Sequence, residues 1–297
     1  MGAMEGFYRY NVENAKMGPN YLAHGFRFPC WGVLLGSRTE EERLKLFGFK
    51  FNRGGAHMAR TSMYEDLFEL LRFVGTSIVT KDDYRSAIVE KNCLGKRSVQ
   101  TRLLTFRHLV DLYALDMSVL LYRALVFYWE RDAPGRQLIA LLCAYARDSI
   151  LRATAPFILG FPEGALVSRT AVEVLLDEME PGRFSEATLK SIAQNINSSW
   201  TKSGHLSGRT RKVRVKAVPT AGSVSYALLL GYLKGARGPS LFQTEYAKLL
   251  DCPPAQAMEL AETASRKGWI VFKRIDNVME VSFPTLLGEK ERGQLLE

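Results

Sequence analysis

The chain has 297 residues, of which 47 % are hydrophobic and 24 % are charged, and its formal net charge at pH 7 is +9. This length allows two or three compact units, and the composition is that of an ordinary globular protein. The apolar runs are too short for a bilayer, the four cysteines are scattered, and no apolar leader precedes Cys30. We therefore expect a soluble, reduced, cytoplasmic protein.

The N-terminal part of the chain shows little periodicity. One short helix is predicted over Glu40–Phe47, with Gly48 at its end, and Gly54-Gly55 marks a further break. Residues 1–57 are therefore interpreted as an N-terminal extension whose structure the sequence does not predict.

Residues 58–165 have the pattern of an all-helical domain. Side chains suited to capping precede successive apolar-periodic segments, namely Ser62 with Glu65, Thr80 with Asp83, Ser98 and Asp116. The segments Met117–Glu130 and Gln137–Arg147 are apolar on nearly every side, which places them at the centre of the domain. Tyr122, Phe127, Tyr128 and Trp129 of the first segment are expected to be core rather than a platform for stacking bases.

Residues 166–220 predict a winged helix-turn-helix. Ser168 caps one helix, Pro181-Gly182 turns the chain, and Ser185 caps a second helix that ends at Gly204. The polar face of the second helix consists of Ser191, Gln194, Asn195, Ser198 and Lys202. After it, Val213, Val215 and Ala217 alternate with Lys212, Arg214 and Lys216, as in a strand. A helix with a polar face followed by a basic hairpin is the layout of a winged helix-turn-helix.

Positive charge is concentrated in the same region. No acidic residue occurs between Glu186 and Glu245, while nine lysines and arginines do. The rest of the chain is close to neutral, because the whole chain also carries +9. A polyanionic partner follows from this distribution.

Residues 221–297 repeat the pattern in a second winged-helix-like module. A helix over Val224–Lys234 precedes a helix pair, Leu241–Leu250 and Pro254–Lys267, and a hairpin around Asp276-Asn277. Glu259 and Glu262 on its second helix would repel phosphates, so this module is predicted to pack or to contact a partner. The expected fold class is therefore mainly α: a helical bundle domain followed by two winged helix-turn-helix-like modules with small β-hairpins.

Catalytic and metal-binding patterns are not found. The four histidines are far apart, and no zinc spacing, phosphate-binding loop or nuclease acid pair occurs. We expect no catalytic residue, metal or cofactor, and we place His205 beside a phosphate. A possible second phosphate-binding patch is Lys96, Arg97 and Arg102, where two cations precede a helix N-terminus.

Several short segments resemble BrxA-like proteins, accessory components of BREX phage-defence systems. They are Asn52–Ala56 with Arg60-Thr61, Ile88–Ser98, Ala146–Arg152 and Leu189–Leu206. The resemblance covers about residues 50–235. It implies a helical protein that binds double-stranded DNA without catalysis, beside a methyltransferase, an ATPase and other defence proteins. The N-terminal 50 residues and the second winged module depart from the pattern.

Together these observations predict a non-enzymatic, double-stranded DNA-binding protein that is an accessory component of a prokaryotic anti-phage defence system. The predicted DNA-binding residues are Ser191, Gln194, Asn195, Ser198, Lys202, His205, Arg209, Arg211, Lys212, Arg214 and Lys216. Two alternatives stay open: a protein-interaction scaffold with an acidic partner, and RNA binding by the helical domain.

Overall fold

A computed structural model of the chain describes residues 39–51, 54–75, 80–275 and 278–296. These residues belong to one packed unit that begins at Arg38. Most of the predicted N-terminal extension, residues 1–38, lies outside the described residues, and so does the Asp276-Asn277 turn.

The described residues of the N-terminal half form seven helices. They are α1 Glu40–Phe47, α2 Tyr64–Val74, α3 Lys81–Val89, α4 Val99–Tyr113, α5 Leu120–Arg131, α6 Arg136–Arg147 and α7 Ser149–Gly160. Local capping sets several of these boundaries. Thr39 closes a capping box at α1, and Gly48 ends that helix with φ +106°, a conformation that glycine adopts without strain. Thr80 and Ser98 cap α3 and α4 as predicted.

Two predicted caps are wrong. Helix α2 was expected to be capped by Ser62, but its N-cap residue is Met63, which has φ 52° and makes no side-chain capping hydrogen bond. The backbone of Ser62 is used in tertiary contacts instead. The backbone N–H of Ser62 donates to Ser199 Oγ, and its carbonyl accepts from Tyr113. The carboxylate of Asp116 accepts the backbone N–H of Ser118 in a turn, and α5 starts only at Leu120.

The core of the bundle is centred on α5 and α6, as their apolar composition predicts. Ten of the twelve residues of α6 are buried, from Leu138 to Arg147. Tyr122, Tyr128 and Trp129 of α5 are buried and Phe127 is half-buried, so these aromatic residues are core. The expectation that these aromatic residues belong to the core is confirmed.

The middle of the chain combines two helices with a small sheet. Its elements are β1 Leu166–Val167, α8 Arg169–Met179, α9 Glu186–Lys202, β2 Leu206–Ser207 and β3 Lys212–Arg214. The three strands are antiparallel in the order β1-β3-β2. Ser168 and Ser185 cap α8 and α9 as predicted. Strand β1 was not predicted, since two residues are too few for a recognisable alternation.

The C-terminal part surrounds one buried helix. Its elements are α10 Ala221–Leu233, a 3₁₀ segment Gly238–Gln243, α11 Glu245–Lys248, α12 Pro254–Arg266, β4 Val271–Ile275, β5 Val278–Ser282 and α13 Glu289–Leu296. Helix α10 packs against α5, α6 and α12, and Gly222 N–H donates to Asp132 of the bundle. The predicted helix Leu241–Leu250 is instead the 3₁₀ segment followed by α11.

The described part of the molecule is mainly helical with two small antiparallel sheets, which confirms the predicted class at that level. Among the described residues, no helix combines the length and the apolar character that crossing a membrane requires.

Candidate nucleic-acid interface

Helix α9 presents one open stripe of small polar side chains. Its apolar positions, including Ile192, Ile196 and Trp200, are buried as predicted. Lys190, Ser191 and Gln194 are exposed on the opposite side, and Ser198 is half-buried one turn later. We call these four residues the α9 outer face. Their spacing of three and four residues places them along one side of the helix.

The flank of this stripe is not free. Asn195 Nδ2 donates to the carbonyl of His57 at 3.2 Å. Lys202 Nζ lies 2.5 Å from Glu65 Oε2 and also donates to Thr61. These two predicted DNA-binding residues therefore hold α9 against the segment that leads into α2. The helical period places them beside Ser191 and Ser198, and only tertiary packing separates them from that open stripe.

The turn between β2 and β3 carries the exposed cations. Gly208 has φ +93°, and a Cβ there would collide with the carbonyl of Arg211, so this turn requires glycine. Arg209 and Arg211 are exposed, and none of the ion pairs of the described residues includes them. Residues 208–211 are called the basic turn below. Lys212 closes it by donating to the carbonyl of Gly208 at 2.7 Å.

The register of the sheet turns the basic side chains of β3 toward the core and not, as predicted, toward a ligand. Arg214 is opposite Leu206 and Lys212 is opposite Val167, and both apolar partners are buried. Paired residues point to the same face of a sheet, so Lys212 and Arg214 lie on its inner face. Partial burial accordingly lowers the pKa of Lys212.

The Arg214 guanidinium is not open to a ligand in this structure. Only 4 % of the residue is exposed, and its guanidinium makes two hydrogen bonds of 2.7 Å to the carboxylate of Asp251. The same carboxylate accepts the backbone N–H of Ala217, and the guanidinium also donates to the His205 carbonyl. The prediction that Arg214 holds a phosphate is wrong, because an acid 37 residues later in the chain binds it.

The segment between Glu186 and Glu245 contains no acid, but the fold brings acids from elsewhere in the chain next to its cations. Acids from outside it pair with four of its nine cations: Lys202 with Glu65, Arg214 with Asp251, Lys216 with Glu163 at 3.9 Å, and Lys234 with Glu245. Lys216 nevertheless keeps an exposed side chain and a long ion pair, so it can still reach a ligand. The other five have no ion pair among the described residues, and three of them, Lys190, Arg209 and Arg211, are exposed on the α9 outer face or the basic turn.

His205 lies in the interior, which contradicts its predicted place beside a phosphate. Its ring contacts Ser203 Oγ through Nδ1 at 2.8 Å and the Leu249 carbonyl through Nε2 at 2.9 Å. Burial lowers the pKa of His205 to about 4, because the charged imidazolium would lose its hydration. The neutral ring thus joins the end of α9 to the C-terminal helices.

This burial predicts a loss of stability in mild acid. The unfolded chain takes up a proton on His205 near pH 6.5, whereas the folded chain does so only near pH 4. The contribution of neutral His205 to the free energy of unfolding is complete above pH 6.5. It is lost as the pH falls toward 4, by roughly 3 kcal/mol in all. Urea unfolding of the wild type and of His205→Gln across this range measures the difference. Equal pH dependence in the two proteins would contradict the prediction.

The predicted second patch does not form one surface. Lys96 pairs with Asp66 at 2.7 Å, and Arg102 donates to the Val89 carbonyl at 2.9 Å. Arg97 alone of the three is exposed. Two of its three cations thus have structural partners, so the patch as predicted is corrected to a single exposed arginine.

A buried Ser–His–Asp arrangement was missed by the sequence reasoning, because its members lie far apart in the chain. His57 Nε2 lies 2.9 Å from Ser199 Oγ, and its Nδ1 lies 3.0 Å from Asp148 Oδ2, although that second pair lacks hydrogen-bond alignment. Burial favours a higher pKa for Asp148, but His57 and backbone donors hold it below its usual value. Ser199 Oγ also accepts the backbone N–H of Ser62 and donates to the carbonyl of Asn195.

This arrangement is a packing element and not an open site. His57 and Ser199 have no exposed surface, so no substrate reaches the hydroxyl in this conformation. The three side chains instead join the Ala56–Met58 turn, the start of α7 and the last turn of α9. Among the described residues, no group of three or more His, Cys, Asp or Glu side chains is arranged to hold a metal ion.

Comparisons with known proteins add no assignment to this geometry. No model of a known protein family matches the chain, and no curated protein matches it.

Proposed function

We propose that the protein is a non-enzymatic component that binds double-stranded DNA. The observation that carries this proposal is the pair of exposed arginines in the basic turn, next in the chain to a helix whose outer face offers a lysine, serines and a glutamine. Arginine and lysine bind backbone phosphates, and short polar side chains contact base edges.

The order of the elements supports a winged helix-turn-helix. Helices α7, α8 and α9 are followed by the β2–β3 hairpin, and β1 pairs with β3 at the other edge of the same sheet. In this class the last helix enters the major groove. The basic turn is then the wing, and it contacts the backbone beside that groove.

The C-terminal module is proposed to contact protein rather than DNA. Glu259 and Glu262 are exposed on α12, where carboxylates would repel phosphates. The resemblance to BrxA-like proteins supports an accessory role in prokaryotic anti-phage defence, with a methyltransferase and an ATPase as partners. The RNA-binding alternative is weaker, since two cations of its patch have structural contacts.

A titration of duplex DNA at several salt concentrations tests the proposal. In this proposal four exposed cations bind phosphates, namely Lys190, Arg209, Arg211 and Lys216. We therefore expect log affinity to fall against log salt with a slope of roughly −3 to −4. A slope near zero, or no binding at low salt, would contradict duplex binding.

A further inference from the structure

A cavity of about 310 Å³ lies between α9, α4 and the segment that leads into α2. Its walls include Arg60, Lys96, Thr101, Thr105 and Asn195. The volume is at the lower end of the range of small-ligand sites. It does not coincide with the α9 outer face or the basic turn, although Asn195 stands beside that face.

The charges of the cavity favour an anion. Arg60 is exposed, and it belongs to none of the ion pairs of the described residues. Lys96 neutralises Asp66, the acid in the wall, at 2.7 Å. The wall therefore has a net charge of +1 from its arginine and lysine against one carboxylate.

Unused hydrogen-bond donors lie in the same wall. Thr105 is only 2 % exposed, yet its hydroxyl takes part in no hydrogen bond among the described residues. The buried threonines of other helices do bond, as Thr154 does to the carbonyls of Ile150 and Leu151. Its oxygen is not one of the fully buried, unpartnered side-chain atoms of the described residues, so it keeps surface toward the cavity, where a ligand or water can bond to it.

The start of α2 adds backbone donors. Met63 also lines the cavity and gives α2 no side-chain cap. The N–H groups of Tyr64, Glu65 and Asp66 consequently have no acceptor among the described residues. Such groups at a helix start attract anions, and here they accompany a positive cavity wall and an unpaired hydroxyl.

We propose that this cavity binds one phosphate group, held by the Arg60 guanidinium and the Thr105 hydroxyl, with the Asn195 amide beside them. The phosphate belongs either to a free phosphorylated molecule or to the backbone of a nucleic acid seated on α9. This inference does not depend on duplex binding, because inorganic phosphate alone is sufficient to test it.

Calorimetric titration of the full chain with inorganic phosphate at constant ionic strength is the first measurement. We expect one site in the wild type and a loss of about tenfold in affinity in both Arg60→Gln and Thr105→Val, as for a hydrogen bond to a charged group. Arg107→Gln is the matched control, because Arg107 is exposed on α4 but does not line the cavity. It should bind phosphate like the wild type.

Duplex titrations of the same variants distinguish the two sources of phosphate. If the site takes a backbone phosphate, Arg60→Gln also weakens duplex binding and makes the salt slope shallower by about one. If it takes a free ligand, duplex affinity stays unchanged. The absence of saturable phosphate binding by the wild type would overturn the proposal, and so would an equal loss in Arg107→Gln. Failure of duplex binding alone would leave the phosphate result intact.

Discussion

Replacing Arg214 by Met should lower the free energy of unfolding by roughly 3–5 kcal/mol. The substitution leaves the Asp251 carboxylate largely buried, with the Ala217 N–H as its remaining described donor. Removing one member of a buried ion pair costs this much because the other charge loses both its hydration and its partner. Urea unfolding followed by circular dichroism measures the change.

Two further variants show whether the pair itself is responsible. Lys216→Met removes a neighbouring cation whose side chain is exposed, and we expect a change within about 0.5 kcal/mol. Arg214→Met combined with Asp251→Asn removes both charges, and asparagine tolerates the φ of 57° at that position. The double variant should be more stable than Arg214→Met alone. If it is less stable, the uncompensated carboxylate is not the cause.

Reversing the two exposed arginines of the basic turn should abolish most duplex binding. In Arg209→Glu/Arg211→Glu, two proposed phosphate contacts become repulsive, and we expect affinity to fall by roughly 100-fold or more. Both side chains project from a surface turn, so the helical content measured by circular dichroism should not change. Fluorescence anisotropy with a labelled duplex at fixed salt gives the affinity ratio.

A second charge reversal controls for the net charge of the protein. Lys91→Glu/Arg97→Glu changes the formal charge by the same amount, on exposed residues near the turn between α3 and α4. We expect it to alter duplex affinity by less than about fivefold, because it acts only through long-range screening. Equal losses in the two double variants would show that general electrostatics, and not the basic turn, governs binding.

Most helices could be predicted because their signals are local. Thr80 and Ser98 cap the helices they were expected to cap, and α1 has its predicted bounds. At Ser62 the Glu65 half of the predicted capping box is blocked, because the buried hydroxyl of Ser199, 137 residues away, accepts the backbone N–H of Ser62. A capping motif competes with any tertiary partner for the same donor, and the sequence contains no sign of that partner.

The candidate interface could be predicted only in part. The alternation after Gly208 is visible in the sequence, but over residues 212–214 the face turned toward the core is the opposite of the predicted one. Pairing of Arg214 with Leu206 decides that orientation, and Asp251 makes the burial of the arginine possible. The fold brings Leu206 and Asp251 to Arg214, and no local sequence pattern indicates either contact.

The sequence by itself determined the helical class, the helix boundaries set by caps and glycines, and the excess of positive charge between Glu186 and Glu245. Only the tertiary structure decided which of those cations are open to a ligand. Helix formation depends on residues within one or two turns, whereas the pairing of a charge depends on whichever acid the folded chain brings within a few ångströms of it.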